Sequence, residues 1–151
     1  MCDVVLYGDA ERVVVTQRFR TPLTQIKENW QKFAQEVRRQ NIFPAGWGIT
    51  EYFCQGEFNP DDVDYELMLP VALDINVQAP LGTRKLEAVT VASIIHRGLL
   101  DKIGGTYDKL FNWIDKQGLQ VVGNVREVYL RCPHTTLDPA GFVTEIQVPV
   151  R

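Results

Sequence analysis

One pattern in this 151-residue chain returns once, at a shift of 76 to 79 positions, and that return limits what the chain can fold into. At a shift of 77, Val14-Val15-Thr16-Gln17-Arg18-Phe19-Arg20 falls on Val91-Ala92-Ser93-Ile94-Ile95-His96-Arg97. The same shift lays Ile26 on Ile103, Trp30 on Tyr107, Lys32 on Lys109, Phe33 on Leu110 and Val37 on Ile114. A shift of 76 pairs Thr50-Glu51-Tyr52-Phe53 with Arg126-Glu127-Val128-Tyr129, and a shift of 79 pairs Tyr65 to Val71 with Thr144 to Val150. Two copies at so long a period do not make a solenoid, whose repeats are shorter and more numerous. They describe a duplicated unit, and the drift in shift is what loop insertions produce.

The repeated segments have recognisable periods. Leu23, Ile26, Trp30, Phe33 and Val37 recur at helical spacing behind Thr21-Pro22, an N-cap followed by proline at the first helical position. Ile103, Tyr107, Leu110, Phe111 and Ile114 do the same ahead of Gly118, a C-terminal stop, while Gly104-Gly105 weakens the first turn. Helices are therefore predicted near residues 22–40 and 101–117, each preceded by one strand and followed by two. The fold class is α+β, with duplicated β-α-β-β halves related by a pseudo-two-fold axis. Each half is an antiparallel sheet with one long helix, and a ligand cleft lies where they meet. We read residues 1–151 as a single domain, with a first half of about 1–73, a linker at 74–87 and a second half of about 88–151.

Composition narrows the function classes. Sixteen Lys and Arg against nineteen Asp and Glu leave a net charge of −3, a poor basis for neutralising phosphates, so no direct DNA binding is expected. No apolar run approaches the ~20 residues needed to span a bilayer, so no membrane role is expected. Met1-Cys2-Asp3 opens without a signal peptide, which reads as a cytoplasmic protein. Cys2, Cys54 and Cys132 form no C-x-x-C pair and read as ordinary thiols; His96 and His134 are too far apart for local metal spacing. We expect no metal and no cofactor. Phosphate-binding, nucleophile-elbow and zinc-protease motifs are absent from the sequence. His96 paired with Glu127 is a weak candidate for acid–base work, and His134 reads as a loop residue.

Strand alternation sorts the side chains. Val128 and Leu130, like Ile146 and Val148, are expected to cover a helix, so Glu127 and Tyr129 point to the other face, with Glu51 and Phe53 in the first half. That face reads either as an ordinary half-solvated sheet surface or as a carboxylate set among aromatic rings. Trp47, Tyr52, Phe53, Tyr65, Tyr129 and Phe142 lie on or beside its strands, whereas Trp30, Phe33, Tyr107, Phe111 and Trp113 read as helix core. A carboxylate among aromatics suits a lipophilic cation, because charge pairing adds to cation–π attraction of about 0.5–2 kcal/mol per ring.

Val91 to Gly98, Tyr107-Asp108-Lys109-Leu110 with Trp113-Ile114, Arg126 to Leu130 and Thr144 to Val150 together resemble the GyrI-like domain family. This is the effector-binding domain of AraC-type and MerR-type multidrug-responsive regulators. The resemblance implies a duplicated β-α-β-β fold whose cleft binds amphipathic cations, with a glutamate anchor that falls on Glu127. It also places a site aromatic on Phe142, where relatives can carry Tyr, so a hydroxyl is lost here. The ligand-binding set is Glu127, Tyr129, Trp47, Phe53, Tyr52, Tyr107 and Phe142. No helix-turn-helix precedes the domain, which reads as a stand-alone module, monomeric or weakly dimeric. Three functions follow. The first is a binding module for cationic lipophilic molecules. The second is an interaction protein with a protein partner, like gyrase inhibitors. The third is a hydrolase of cyclopropane-bearing compounds that uses Glu127 and Tyr129. Binding without catalysis is the favoured expectation.

Overall fold

The computed structural model describes residues 3–54, 57–73, 75–131 and 141–151. Cys2, Cys132 and His134 lie outside the described residues, as does Asp74 at the head of the expected linker. In chain order the elements are β1 (Val5–Asp9), β2 (Arg12–Thr21), α1 (Ile26–Arg39), β3 (Ile49–Tyr52) and β4 (Val63–Val71). They continue with β5 (Gly82–Leu86), β6 (Val89–Arg97), α2 (Ile103–Lys116), β7 (Val125–Arg131) and β8 (Val143–Pro149). A single 3₁₀ turn leads into each helix, over Leu23–Gln25 and Leu100–Lys102, so the helical segments match the sequence expectation. The fold is α+β with antiparallel sheets. No helix among the described residues is long and apolar enough to cross a membrane.

Two compact units divide the chain. The N-unit, Glu11–Glu87, pairs β3 with β4, β4 with β2 and β2 with β5, all antiparallel. One helix covers it, and Phe33 and Val37 of α1 are buried with Val15, Tyr65 and Leu67. The C-unit, Ala88–Arg151 with β1, pairs β1 with β6, β6 with β8 and β8 with β7. Here Leu110 and Ile114 of α2 are buried with Ala92, Ile94, Ile146 and Val148. Each fully buried aliphatic or aromatic side chain contributes about 1.5–3 kcal/mol, so these helix faces fix the packing of their sheets.

Strand register bears out the repeat pair by pair. Val15 faces Leu69 as Ala92 faces Val148, and Val14 faces Pro70 as Val91 faces Pro149. Both helices end alike. Gly118 takes φ +68° and Asn41 φ +57°, and the following amides, Leu119 and Ile42, bond back to the Ile114 and Val37 carbonyls at 3.2 and 3.1 Å. This is a Schellman closure, which glycine and asparagine enter at least cost. The N-terminal end differs from expectation. Thr21 caps no helix N–H; its hydroxyl lies 2.7 Å from the Tyr65 hydroxyl and 3.0 Å from the Pro22 carbonyl.

Register also corrects three expectations. First, residues 74–87 contain β5, and each repeat therefore has a strand ahead of its β-α-β-β core. β5 is the equivalent of β1 at a shift of 77: Arg84 faces Val14 as Tyr7 faces Val91. The outer strands are exchanged, because β1 precedes β2 in the chain yet pairs with β6, and β5 precedes β6 yet pairs with β2. Second, the shift at β3 is 77. Thr50 faces Leu67 as Glu127 faces Ile146, so Thr50, rather than Glu51, is the counterpart of Glu127. A one-residue slip transfers every side chain to the opposite face. Third, the faces of β7 are reversed. Val125 packs with the α2 cluster, and Glu127 and Tyr129 share its side, opposite Ile146 and Thr144. Val128 looks the other way, opposite Glu145.

Gly104 and Gly105 have open space where a Cβ would be, with nothing within 4 Å. Replacing either with alanine is expected to raise stability by about 0.5–1 kcal/mol, because the helix loses a flexible residue and gains no clash. The urea midpoint measures this, and an unchanged midpoint would mean that the turn is not helical in solution.

Candidate functional site

Strand parity brings Glu127 under α2. Its side chain is only 6% exposed, and both oxygens are engaged. Tyr107, on the second turn of α2, donates to Oε2 at 2.5 Å, and Tyr129, two residues along β7 on the same face, donates to Oε1 at 3.0 Å. The Tyr107 ring stacks on Phe111 with centroids 6.5 Å apart. The result is a buried carboxylate with a phenol on each oxygen and an aromatic stack beside it.

Of the seven residues read from sequence, these three come together. Phe142 is half-buried beside β8, where its carbonyl accepts from the Gly98 amide at 2.8 Å. The other three belong to the N-unit. Trp47 is 60% exposed on the loop before β3. Tyr52 packs on the α1 side, its ring 6.5 Å from that of Tyr65. Phe53 lies under the Arg18 guanidinium, which sits 3.9 Å from its ring centroid and makes a two-pronged bond to Asp64. That bond holds the Asp64 carboxyl below its ordinary range. At the position equivalent to Glu127 the N-unit has Thr50, and at the position equivalent to Tyr107 it has Trp30.

His96 does not pair with Glu127. Both its ring nitrogens are taken up by α2 and the turn before it, at Thr106 and the Leu99 carbonyl. Cys54 is an exposed thiol. Among the described residues, no group of His, Cys, Asp and Glu could hold a metal ion.

Two further polar clusters escaped the sequence reading. On the C-unit face away from α2, Tyr7 donates to Glu145 Oε2, Ser93 donates to the same oxygen at 2.7 Å, and Gln147 Nε2 donates to the Tyr7 oxygen at 2.9 Å. Burial, and then the Glu145 acceptor, push the Tyr7 phenol well above its usual range. On the matching N-unit face, Arg84 Nη2 lies 2.8 Å from Glu66 Oε1, 3.2 Å from Glu51 Oε2 and 3.4 Å from Met68 Sδ. The 77-residue shift links Tyr7 to Arg84, but Val5–Asp9 and Gly82–Leu86 share no residue at matched positions, so sequence likeness could not expose it.

Residues 9–151 match the GyrI-like small molecule binding domain. Among curated protein sequences none matches. The C-terminal domain of EcmrR, in its crystal structure, superposes with a TM-score of 0.88 at 23% identity, over 98% of this chain and 96% of that one. In the cryo-EM structure of an EcmrR–DNA complex the TM-score is 0.92 at 24% identity over 98% of this chain, which spans only 57% of the EcmrR chain. SAV2435 bound to tetraphenylphosphonium has a TM-score of 0.69 at 14% identity, over 98% of this chain and 93% of that one. At these identities the likeness establishes the fold.

Proposed function

The chain belongs to the GyrI-like small-molecule binding domain family, and on that premise we propose that it binds lipophilic organic cations, with Glu127 as the anchor and Tyr107 and Tyr129 as its aromatic partners. One observation carries this reading: a carboxylate that is 6% exposed has a phenol on each oxygen. A desolvated anion gains most from a ligand that brings a charge without a hydration shell to lose, which describes a delocalised or alkyl-shielded cation. SAV2435 takes tetraphenylphosphonium, a cation of this class.

Titration calorimetry of the full chain tests the reading with tetraphenylphosphonium and with triphenylphosphine oxide, a neutral molecule of similar build. The expected result is cation affinity at least about tenfold above that for the neutral compound, one charge-assisted contact in energy. Equal affinities would mean that shape alone is recognised.

A further inference from the structure

Tyr107 reaches Glu127 from a helix turn that is weak by sequence, and a residue of the sheet holds that turn in place. Ile103-Gly104-Gly105-Thr106 opens α2 behind Lys102, with no side-chain cap. His96, on β6, is 7% exposed and points into this turn. Its Nε2 is 2.8 Å from the Leu99 carbonyl oxygen, and its Nδ1 is 2.7 Å from Thr106 Oγ1. A carbonyl only accepts, so Nε2 carries a proton and donates to Leu99, while Nδ1 shares a hydrogen bond with the Thr106 hydroxyl. One imidazole therefore ties the turn before α2 and the first turn of α2 to the same strand.

The other copy of the repeat tethers the same helix position by different chemistry. Asn29, the counterpart of Thr106, donates to the Tyr65 hydroxyl at 2.7 Å and to Thr21 Oγ1 at 3.3 Å. Phe19 stands where His96 does and stacks on Tyr65, with centroids 5.9 Å apart. There the turn contains Lys27-Glu28, ordinary helix formers, and Trp30 follows, with Thr50 at the position equivalent to Glu127. In the C-unit the turn contains two glycines, and the residue after the tether must deliver a hydroxyl to within 2.5 Å of an oxygen. Backbone freedom in that turn is amplified at the tip of the long Tyr107 side chain.

We propose that His96 is a positioning residue: through Thr106 it fixes the first turn of α2 and so holds the Tyr107 hydroxyl on Glu127. As a feature of a ligand site, this rests on the reading of Glu127 as the cation anchor. The hydrogen-bonding consequence can be measured without any ligand.

The test uses the full chain with tyrosine labelled with ¹³C at ring Cζ, a resonance sensitive to what the phenol donates to. Tyr107→Phe assigns the signal, and Glu127→Gln marks its position without the carboxylate. Thr106→Val keeps the side-chain shape and removes the hydroxyl, Thr106→Ser keeps the hydroxyl, and His96→Phe installs the residue of the other copy. In the unliganded protein, the Tyr107 signal is expected to move toward its Glu127→Gln position in Thr106→Val and His96→Phe, and to stay near wild type in Thr106→Ser. The double variant should add little to either single change, because the two residues act as one link. Tetraphenylphosphonium should bind about three- to tenfold more weakly to Thr106→Val and His96→Phe, the loss of roughly one hydrogen bond. An unmoved Tyr107 signal in folded Thr106→Val overturns the proposal, whatever the affinities. A signal that moves as expected in a protein that binds no tetraphenylphosphonium supports the positioning role and removes the ligand reading instead.

Discussion

Arg84→Leu is expected to lower the stability of the protein by about 3 kcal/mol, the low end for opening a buried ion pair, because Arg84 itself is 36% exposed. Glu51 and Glu66 sit directly across from each other on β3 and β4, with side chains only 4% and 13% exposed. The guanidinium on β5 approaches both through Nη2. Without it, two like charges face one another in a cross-strand pair that water reaches poorly, an arrangement that is unfavourable even at a surface. Leucine retains apolar contact, so the loss reports charge more than packing. Adding Glu66→Gln should recover at least half of the loss, since it removes the repulsion while keeping the volume. Urea unfolding measures both steps. For a chain of this size the single change corresponds to a fall in melting temperature of roughly 6–12 °C. A loss below about 1 kcal/mol would show that other neighbours, Arg18 among them, or solvent balance the two carboxylates without Arg84.

That prediction concerns a segment that sequence reading assigned to a linker, and the reason for the misassignment is physical. β5 (Gly-Thr-Arg-Lys-Leu) and β1 (Val-Leu-Tyr-Gly-Asp) are equivalent in register and unlike in every residue. An outer strand bonds along one edge through its backbone, which constrains side chains weakly. The segments that repeat visibly, β2 with β6 and α1 with α2, supply the buried rows, where apolar volume must be kept. Phe33 and Leu110 are both 0% exposed at matched helix positions. The same limit explains the reversed face of β7. In Arg126 to Leu130 the alternation of aliphatic with polar residues is genuine, but it assigns the aliphatic face to the helix only if the helix side is apolar throughout. Beside β7 the helix presents the Tyr107 hydroxyl, so the carboxylate is the residue that fits. The pair Tyr107 and Glu127 was within reach of sequence, since both were candidates; their contact depended on a register that alternation alone does not set. His96 with Thr106, and Tyr7 with Glu145, are tertiary hydrogen bonds between segments with no shared periodicity.

Glu127→Gln is expected to weaken tetraphenylphosphonium binding on the order of ten- to a hundredfold, about 1.5–3 kcal/mol, the value of a hydrogen bond or contact to a charged group in a site with little water. Glutamine has nearly the volume of glutamate, so packing beneath α2 should survive. The exchange has a second consequence that must be separated from the first. Glutamine accepts only through its carbonyl oxygen, so one of the two phenols, Tyr107 or Tyr129, loses its acceptor and meets an amide N–H instead. A rearranged tyrosine would alter binding of any ligand that touches it. Triphenylphosphine oxide measures that part, because it contacts the rings without a positive charge. The difference between the losses for the cation and the neutral compound then isolates the electrostatic contribution. For the neutral compound the expected change is nil or a slight gain, since the variant has no anion to desolvate as the ligand enters. Equal losses for both ligands would mean that Glu127 serves to hold two tyrosines in place, and the cation would have to be recognised by aromatic faces alone.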